Sequence, residues 1–236
     1  IEAGLVIAQL LAEGMQRILL IVPKSLVGQW QTELSSLFGI ELREGAADPD
    51  AFVGNGVFIV HREFAGGLTG APLLSSADPF DLVVIDEAHE IFAGIYRRFN
   101  KQGEYKSDSK DAQIAGRVRD FLKPAGTPVL LLTATPIQNH LVELWGLVQF
   151  VERTNELLGD LPTFRELFCS DGDRSLHEAL QTELQRRLAT VQQRTLRKQA
   201  QEFLEVPFVE RQAKVIEYSM SNEEKTIYEG VTAWLM

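Results

Sequence analysis

A single cysteine, Cys169, is all the thiol this chain carries. No internal disulfide is possible, and such usage points to a reducing, cytoplasmic setting. The four histidines, His61, His89, His140 and His177, stand far apart and lack ligand spacing, which argues against a zinc site. Long apolar runs are missing too. The longest uncharged stretch, Pro124 to Val142, contains three prolines and a polar second half, so it is no membrane span, and no signal peptide is recognisable in the first residues given. Positive charge is in deficit, with 23 Lys and Arg against 33 Asp and Glu; the net charge of −10 excludes a generally basic nucleic-acid coat but not a local basic track. Finally, no Gly-Lys dipeptide occurs, so the 236 residues contain no Gly-x-x-x-x-Gly-Lys-Ser/Thr phosphate loop.

What is present is an ordinary globular composition, 45% hydrophobic and 24% charged, in a length suited to one large domain or a domain with an appendage. The chain opens at Ile1 in a helical pattern and stops at Met236 inside another, as expected of a segment cut from a longer polypeptide. Residues 2–13 read as a helix closed by Gly14, Ile18–Val22 as a buried strand, and Ser25 as the cap of a helix carrying Leu26, Trp30, Leu34 and Leu37. A short strand near 40–42, a strand at 57–60, a surface connection over 66–79 and a strand at 82–85 come next. A polar segment then runs to about Ser109, ahead of a helix over 110–122 and a strand at 129–132. Strands alternating with helices predict an α/β fold with a parallel sheet. After Asn139 helices dominate, over 140–151, 164–169, 176–190 and 222–235. Capping boxes are read at Thr163–Glu166, Ser175–Glu178 and Ser221–Glu224, a core-facing stripe at Leu176, Leu180, Leu184 and Leu188, and two short strands at 206–209 and 214–218.

Chemistry concentrates at two strand ends. Leu82-Val83-Val84-Ile85 runs directly into Asp86-Glu87-Ala88-His89, and Val129–Leu132 into Thr133-Ala134-Thr135-Pro136-Ile137-Gln138-Asn139. Open α/β sheets bind ligands at the carboxyl ends of their strands. Phosphoanhydride hydrolysis needs a cation to neutralise phosphate charge and a carboxylate to orient or deprotonate water. Asp86 suits the first task, holding Mg²⁺ through water, and Glu87 the second, with His89 one step away to couple the site to a neighbouring segment. The bland alternative is an acidic loop after a strand. Two basic tracks stand out as well. Residues 186–198 hold Arg186, Arg187, Arg194, Arg197 and Lys198 with no acid among them; residues 97–110 hold Arg97, Arg98, Lys101, Lys106 and Lys110, diluted by Glu104 and Asp108. Each is either a solvated face or a phosphate contact.

Five segments in order resemble the first RecA-like domain of superfamily-2 helicases, in the Snf-type, RapA-like branch of DNA translocases. Ile1–Gly4 resembles the residues directly after the Gly-Lys-Thr of the family's phosphate loop, and Ile21–Leu26 with Gln29, Trp30 and Glu33 resembles motif Ia. Asp86–His89 resembles motif II, and Leu132–Asn139 continuing into Glu143-Leu144-Trp145 resembles motif III. Gln193–Lys198 resembles the basic segment before the second motor domain. The resemblance implies a RecA-like parallel sheet flanked by helices over 1–150, then a mainly helical extension and linker start over 151–236. It implies ATP and Mg²⁺ as cofactors, with double-stranded DNA and a second RecA-like domain of the same polypeptide, which supplies an arginine finger, as partners. It carries residue roles too: Pro23, Lys24 and Ser25 beside the DNA backbone; Thr133 and Thr135, with Gln138 and Asn139 nearby, linking hydrolysis to DNA grip; Arg194, Arg197 and Lys198 on phosphates. His61 and Arg62 lie just past a strand end where relatives touch DNA. Trp30 and Trp145 read as packing residues. A bacterial source fits the RapA-like character. Two other readings stay open: a catalytically silent docking or DNA-binding module, against which the retained Asp86–Glu87 pair speaks, and a DEAH-box RNA helicase, which shares motif II but not the Pro-Ile-Gln-Asn and Glu-Leu-Trp continuation.

Overall fold

The computed structural model describes residues 1–45, 47–92, 95, 110–122, 126–152, 154–194 and 214–235. They fall into two compact units, Ile1–Gln192 and Gln193–Met236. The second basic track, apart from Lys110, and the expected strand at 206–209 lie outside the described residues.

The first unit is built on a five-stranded sheet ordered β2-β3-β1-β4-β5, in which every pairing is parallel. Its strands are β1 (Arg17–Val22), β2 (Leu42–Glu44), β3 (Gly56–His61), β4 (Leu82–Ile85) and β5 (Val129–Leu131). The three inner strands are continuous apolar runs because both sheet faces are covered. Alternation along β1 assigns the faces. Ile18, Leu20 and Val22 join Val57, Ile59, Leu82 and Val84 beneath helices α1 (Glu2–Ala12) and α2 (Val27–Phe38), which contribute Ile7 and Leu34. Leu19 and Ile21 join Phe58, Val60, Val83 and Ile85 on the opposite face. That face is covered from α3 (Arg62–Ala65), α4 (Gly70–Ser76), α5 (Ala88–Phe92), α6 (Lys110–Leu122) and α7 (Val142–Val151).

Helix α7 is buried on all sides from Val142 to Phe150, since it serves two cores. Leu147 and Phe150 face the sheet. Leu144, Trp145 and Val148 face Phe164 and Phe168 of α8 (Leu161–Phe168) and Leu184 of α9 (Gln181–Leu188). The expected leucine stripe packs there, with Leu184 fully buried and Leu176, Leu180 and Leu188 partly so. A two-stranded antiparallel hairpin, β6 (Cys169–Ser170) with β7 (Ser175–Leu176), lies between α8 and α9. Burial pushes the Cys169 thiol up to about 12, so it is inert at neutral pH.

Several local expectations need correction. Ser25 does not cap α2. Pro23 is extended, a 3₁₀ turn at Lys24–Leu26 is closed by Leu26 N–H to Pro23 O (2.9 Å), and the turn runs straight into the helix. The 66–79 connection contains α4. Its glycines serve close approach rather than a loop, for a Cβ at Gly70 would meet the Phe64 carbonyl oxygen at 2.1 Å. Helix α8 is capped by Asp160, whose Oδ1 accepts Thr163 N–H at 2.9 Å, with Pro162 in the first turn; Thr163 lies inside the helix. Ser175 is spent on the hairpin, because Asp171, Gly172 and Asp173 at φ 48°, 63° and 74° reverse the chain there. The expected short strand at 40–42 lies at Leu42–Glu44.

In the second unit the box at Ser221 forms as read. Ser221 Oγ accepts Glu224 N–H at 3.2 Å and Glu224 Oε2 accepts Ser221 N–H at 2.8 Å, opening α10 (Asn222–Leu235). Lys214–Tyr218 forms no strand, and its Val215, Ile216 and Tyr218 are exposed, with no described neighbouring strand to pair with. Among the described residues no helix is long and apolar enough to cross a membrane.

Candidate functional site

Strands β1, β4 and β5 are neighbours, so Pro23, Asp86 and Thr133 leave the sheet side by side at its carboxyl edge. Asp86 prolongs the ladder, its N–H donating to Ile21 O at 2.9 Å. Glu87 then turns the chain into α5 with φ at 46°, a left-handed conformation that costs a non-glycine residue about 1 kcal/mol. Two bonds hold that conformation: Glu87 N–H to Asp86 Oδ1 (2.9 Å) and Ala88 N–H to Leu132 O (2.9 Å). Glu87 Oε2 is buried and accepts no hydrogen bond, although His89 Nδ1 stands 3.3 Å away. A buried acceptor left open at a strand end is a place for an incoming proton or a water.

His89 joins the two motifs. Its Nδ1 lies 2.9 Å from Thr133 Oγ1, so the ends of β4 and β5 are bridged by side chains as well as by the ladder. Thr133 Oγ1 also accepts Thr135 N–H at 3.2 Å, and Thr135 Oγ1 accepts from Gln138 Nε2 at 3.4 Å. Five of the anticipated residues, Glu87, His89, Thr133, Thr135 and Gln138, thus form one chain of contacts. Asn139 joins it differently. A carboxylate not singled out from sequence, Glu143, is 5% exposed and places Oε2 under the N–H groups of both Gln138 (2.6 Å) and Asn139 (3.2 Å). It pins the 133–139 loop to the first turn of α7. Only its Glu-Leu-Trp context marked it in the sequence; the backbone donors it satisfies are invisible there.

Trp30 also goes beyond the packing role expected. Its indole body packs on the core beneath α2 while its N–H donates to Asp86 Oδ2 at 2.8 Å. Trp145 does pack in a core, and its N–H bonds to Gly159 O (3.0 Å). A cavity of about 450 Å³ opens beside Trp30 and Asp86, walled by Ile1 and Glu2 of the first helical turn, Glu33 and Leu132. Both Asp86 oxygens are engaged, yet each keeps a lone pair. Among the described residues no cluster of three or more metal-type ligands exists. One or two carboxylates with room for water and phosphate oxygens fit Mg²⁺, which gives up its water reluctantly.

Of the proposed nucleic-acid contacts, Lys24 and Ser25 are exposed at the end of β1 with Pro23 half-buried behind them. Arg62 is paired with Glu63 (2.8 Å) and with Glu90. In the 186–198 track, Arg186 and Arg187 are held by Glu183, just upstream of the stretch, at 2.9 and 2.7 Å. Those two guanidiniums pull the Glu183 carboxyl down to about 2. Arg187 also lies over Phe168 and bonds Leu157 O, so it is committed to packing. Arg194 is exposed in the second unit; Arg197 and Lys198 lie outside the described residues.

Adjacent strand ends of a parallel α/β sheet thus carry an Asp-Glu pair bridged to a Thr-rich loop, at the edge where open α/β sheets bind ligands. Residues 72–234 match the SNF2-related domain, and the chain belongs to that family of ATP-dependent, helicase-like domains. It is 32% identical over 181 residues to the uncharacterised ATP-dependent helicase YqhH of Bacillus subtilis, covering 72% of this chain and 26% of that protein. It is 32% identical over 152 residues to the RNA polymerase-associated protein RapA of Histophilus somni, covering 58% of this chain and 14% of RapA. The chain therefore spans about a quarter or less of these relatives. Among solved structures, the Sulfolobus solfataricus SWI2/SNF2 ATPase core in complex with double-stranded DNA superposes with a TM-score of 0.51 at 17% identity, over 80% of this chain and 42% of that one. The likeness establishes a RecA-like SNF2 fold.

Proposed function

We propose that this chain is the catalytic half of a motor that couples ATP hydrolysis to tracking along duplex DNA, remodelling or displacing bound protein rather than separating strands. The observation that carries the reading is the His89–Thr133 bridge, which ties the Asp86–Glu87 end of β4 to the 133–139 loop. In this role Asp86 holds Mg²⁺ through water, and the ion, when bound, neutralises phosphate charge. Glu87 orients the attacking water and takes its proton at the open Oε2. His89, Thr133, Thr135, Gln138 and Asn139 pass the state of the site to the DNA grip. Lys24 and Ser25, with Pro23 shaping the turn, lie against the backbone of the duplex, and Arg194, Arg197 and Lys198 add phosphate contacts. A relative caught on double-stranded DNA supports the choice of duplex. Residues 1–150 form part of a first RecA-like domain, and 151–236 form a helical extension leading to a second one in the same polypeptide. The outer edge of β5, whose residues are only half-buried, suits the strand that would lead into a phosphate loop.

The test is ATP hydrolysis by the polypeptide that contains this chain with its phosphate loop and second motor domain, with and without duplex DNA and with structured RNA. Stimulation by duplex supports the motor; stimulation by RNA alone replaces it with an RNA helicase, and no hydrolysis with a silent module. Residues 1–236 by themselves are expected to show no turnover, since the Lys and backbone donors that cradle β- and γ-phosphates are not among them. Changing Arg194 and Arg197 together to Ala is expected to flatten the salt dependence of duplex binding by about two units of log–log slope. An unchanged slope returns that stretch to a solvated face.

A further inference from the structure

Trp30 and Asp86, 56 positions apart in the chain, are joined by one charge-assisted hydrogen bond, 2.8 Å from indole Nε1 to Oδ2. A tryptophan kept only for packing has no need to aim its N–H at the first carboxylate of a hydrolase motif. This one does so from a telling position. The 3₁₀ turn at Lys24–Leu26 runs without a break into α2, and Trp30 stands one helical turn beyond Leu26. The turn carries exposed Lys24 and Ser25 at the end of β1, the strand whose Ile21 carbonyl accepts the Asp86 N–H. Asp86 Oδ1 is meanwhile committed to the Glu87 N–H at 2.9 Å. With a partner on each oxygen the carboxylate has a single orientation, and one of those partners moves with the first turn of α2.

We propose that Trp30 is a positioning residue that makes the orientation of Asp86 answer to what occupies the Pro23–Leu26 turn, so that a duplex phosphate seated there sets the carboxylate for its cation. This inference rests on the reading of the chain as part of a duplex-stimulated ATPase. Trp30 touches neither phosphate nor water in the reaction; it acts through Asp86. Phosphate contact at the turn shifts the start of α2 as a unit, because no side-chain cap anchors it. The indole, packed against the core beneath α2, transmits that shift to Oδ2.

The experiment uses the full ATPase and Trp30→Phe, which keeps an aromatic ring and removes the N–H. The expected result is a fall of about tenfold or more in duplex-stimulated kcat and a higher Mg²⁺ concentration at half-maximal rate. The KM for duplex should stay within about twofold, as for an interaction that supports the reaction rather than binding. A purely structural tryptophan would lower the melting temperature and leave the Mg²⁺ dependence in place, and that outcome overturns the proposal. So does a raised KM for duplex at unchanged kcat. Hydrogen–deuterium exchange of the unmodified enzyme tests the same link whether or not the variant folds: adding duplex without nucleotide should alter uptake in peptides over both 24–33 and 84–89. A change confined to the first overturns the proposal. If the unmodified enzyme is not stimulated by duplex at all, the motor reading fails first; if it is stimulated and Trp30→Phe behaves identically, only the Trp30 inference fails.

Discussion

Glu87→Gln is expected to remove duplex-stimulated ATP hydrolysis from the enzyme containing this chain, with kcat falling at least about a hundredfold while ATP binding persists. Glutamine matches glutamate in size and tolerates the left-handed backbone at φ 46° no worse, so the fold and the Asp86 Oδ1 contact to the residue 87 N–H are kept. What disappears is a carboxylate oxygen that is buried, accepts no hydrogen bond, and stands 3.3 Å from His89 Nδ1. An amide in its place cannot take a proton from water. The check is steady-state hydrolysis at saturating ATP and duplex, beside nucleotide binding by the same variant. Retention of more than about a tenth of the rate would mean that Glu87 is not the base and that the proton leaves by another route. Loss of binding together with rate would point instead to damage around Asp86.

The sheet and the strand-end motifs were legible because both are local. A buried parallel strand announces itself as a short apolar run, and Leu82–Ile85 followed by Asp86 and Glu87 leaves one way to place those carboxylates. The Thr133–Asn139 loop is legible for the same reason, since it follows the apolar run Val129–Leu132 directly. What the sequence concealed is long-range. Nothing near Trp30 indicates that its N–H reaches across 56 residues to Asp86, and an apolar helical spacing favours a packing role. Glu143 is marked in the sequence only by its Glu-Leu-Trp context, although burial and two backbone N–H groups make it the anchor of the loop. Arg186 and Arg187 stand in a run, 186–198, that holds no acid and suits either a solvated face or a phosphate contact, yet Glu183, one helical turn upstream, takes both. The misplaced caps at Ser25, Thr163 and Ser175 share a cause. A lone serine, as at Ser25, or a Ser/Thr-x-x-Glu spacing, as at Thr163 and Ser175, is easily met by chance, and Pro23, Asp160 and the Asp171–Asp173 reversal each decide the local backbone first.

Arg17→Met is expected to destabilise the domain by about 3 kcal/mol or more, because a charged group with all three guanidinium nitrogens engaged is replaced by one that satisfies none of its acceptors. Arg17 opens β1 at the edge of the sheet opposite the candidate site, and it is only 7% exposed. Its guanidinium donates to the carbonyls of Phe52 (2.9 Å), Asp78 (3.2 Å) and Pro79 (3.2 Å), and also to that of Gly54. It lies over the rings of Phe58 and Phe80, 5.2 and 5.0 Å from their centroids. One side chain thus gathers the loops before β3 and β4, while Asp81 Oδ2 holds the backbone N–H groups of Gln16 and Arg17 from the other side (2.7 and 2.9 Å). Lysine should fare little better than methionine, since an ammonium has three donors at a point and no plane to stack between two phenylalanines. Thermal unfolding of the enzyme should shift down by roughly 10 °C for either variant, given the few degrees per kcal/mol of a domain this size. The ATP hydrolysis rate well below the transition should stay near that of the unmodified enzyme, because the rivet and the carboxylates stand at opposite ends of β1 and β4. A melting temperature within about 2 °C of the original would mean that water takes over those carbonyls and that Arg17 is not what holds the amino edge together.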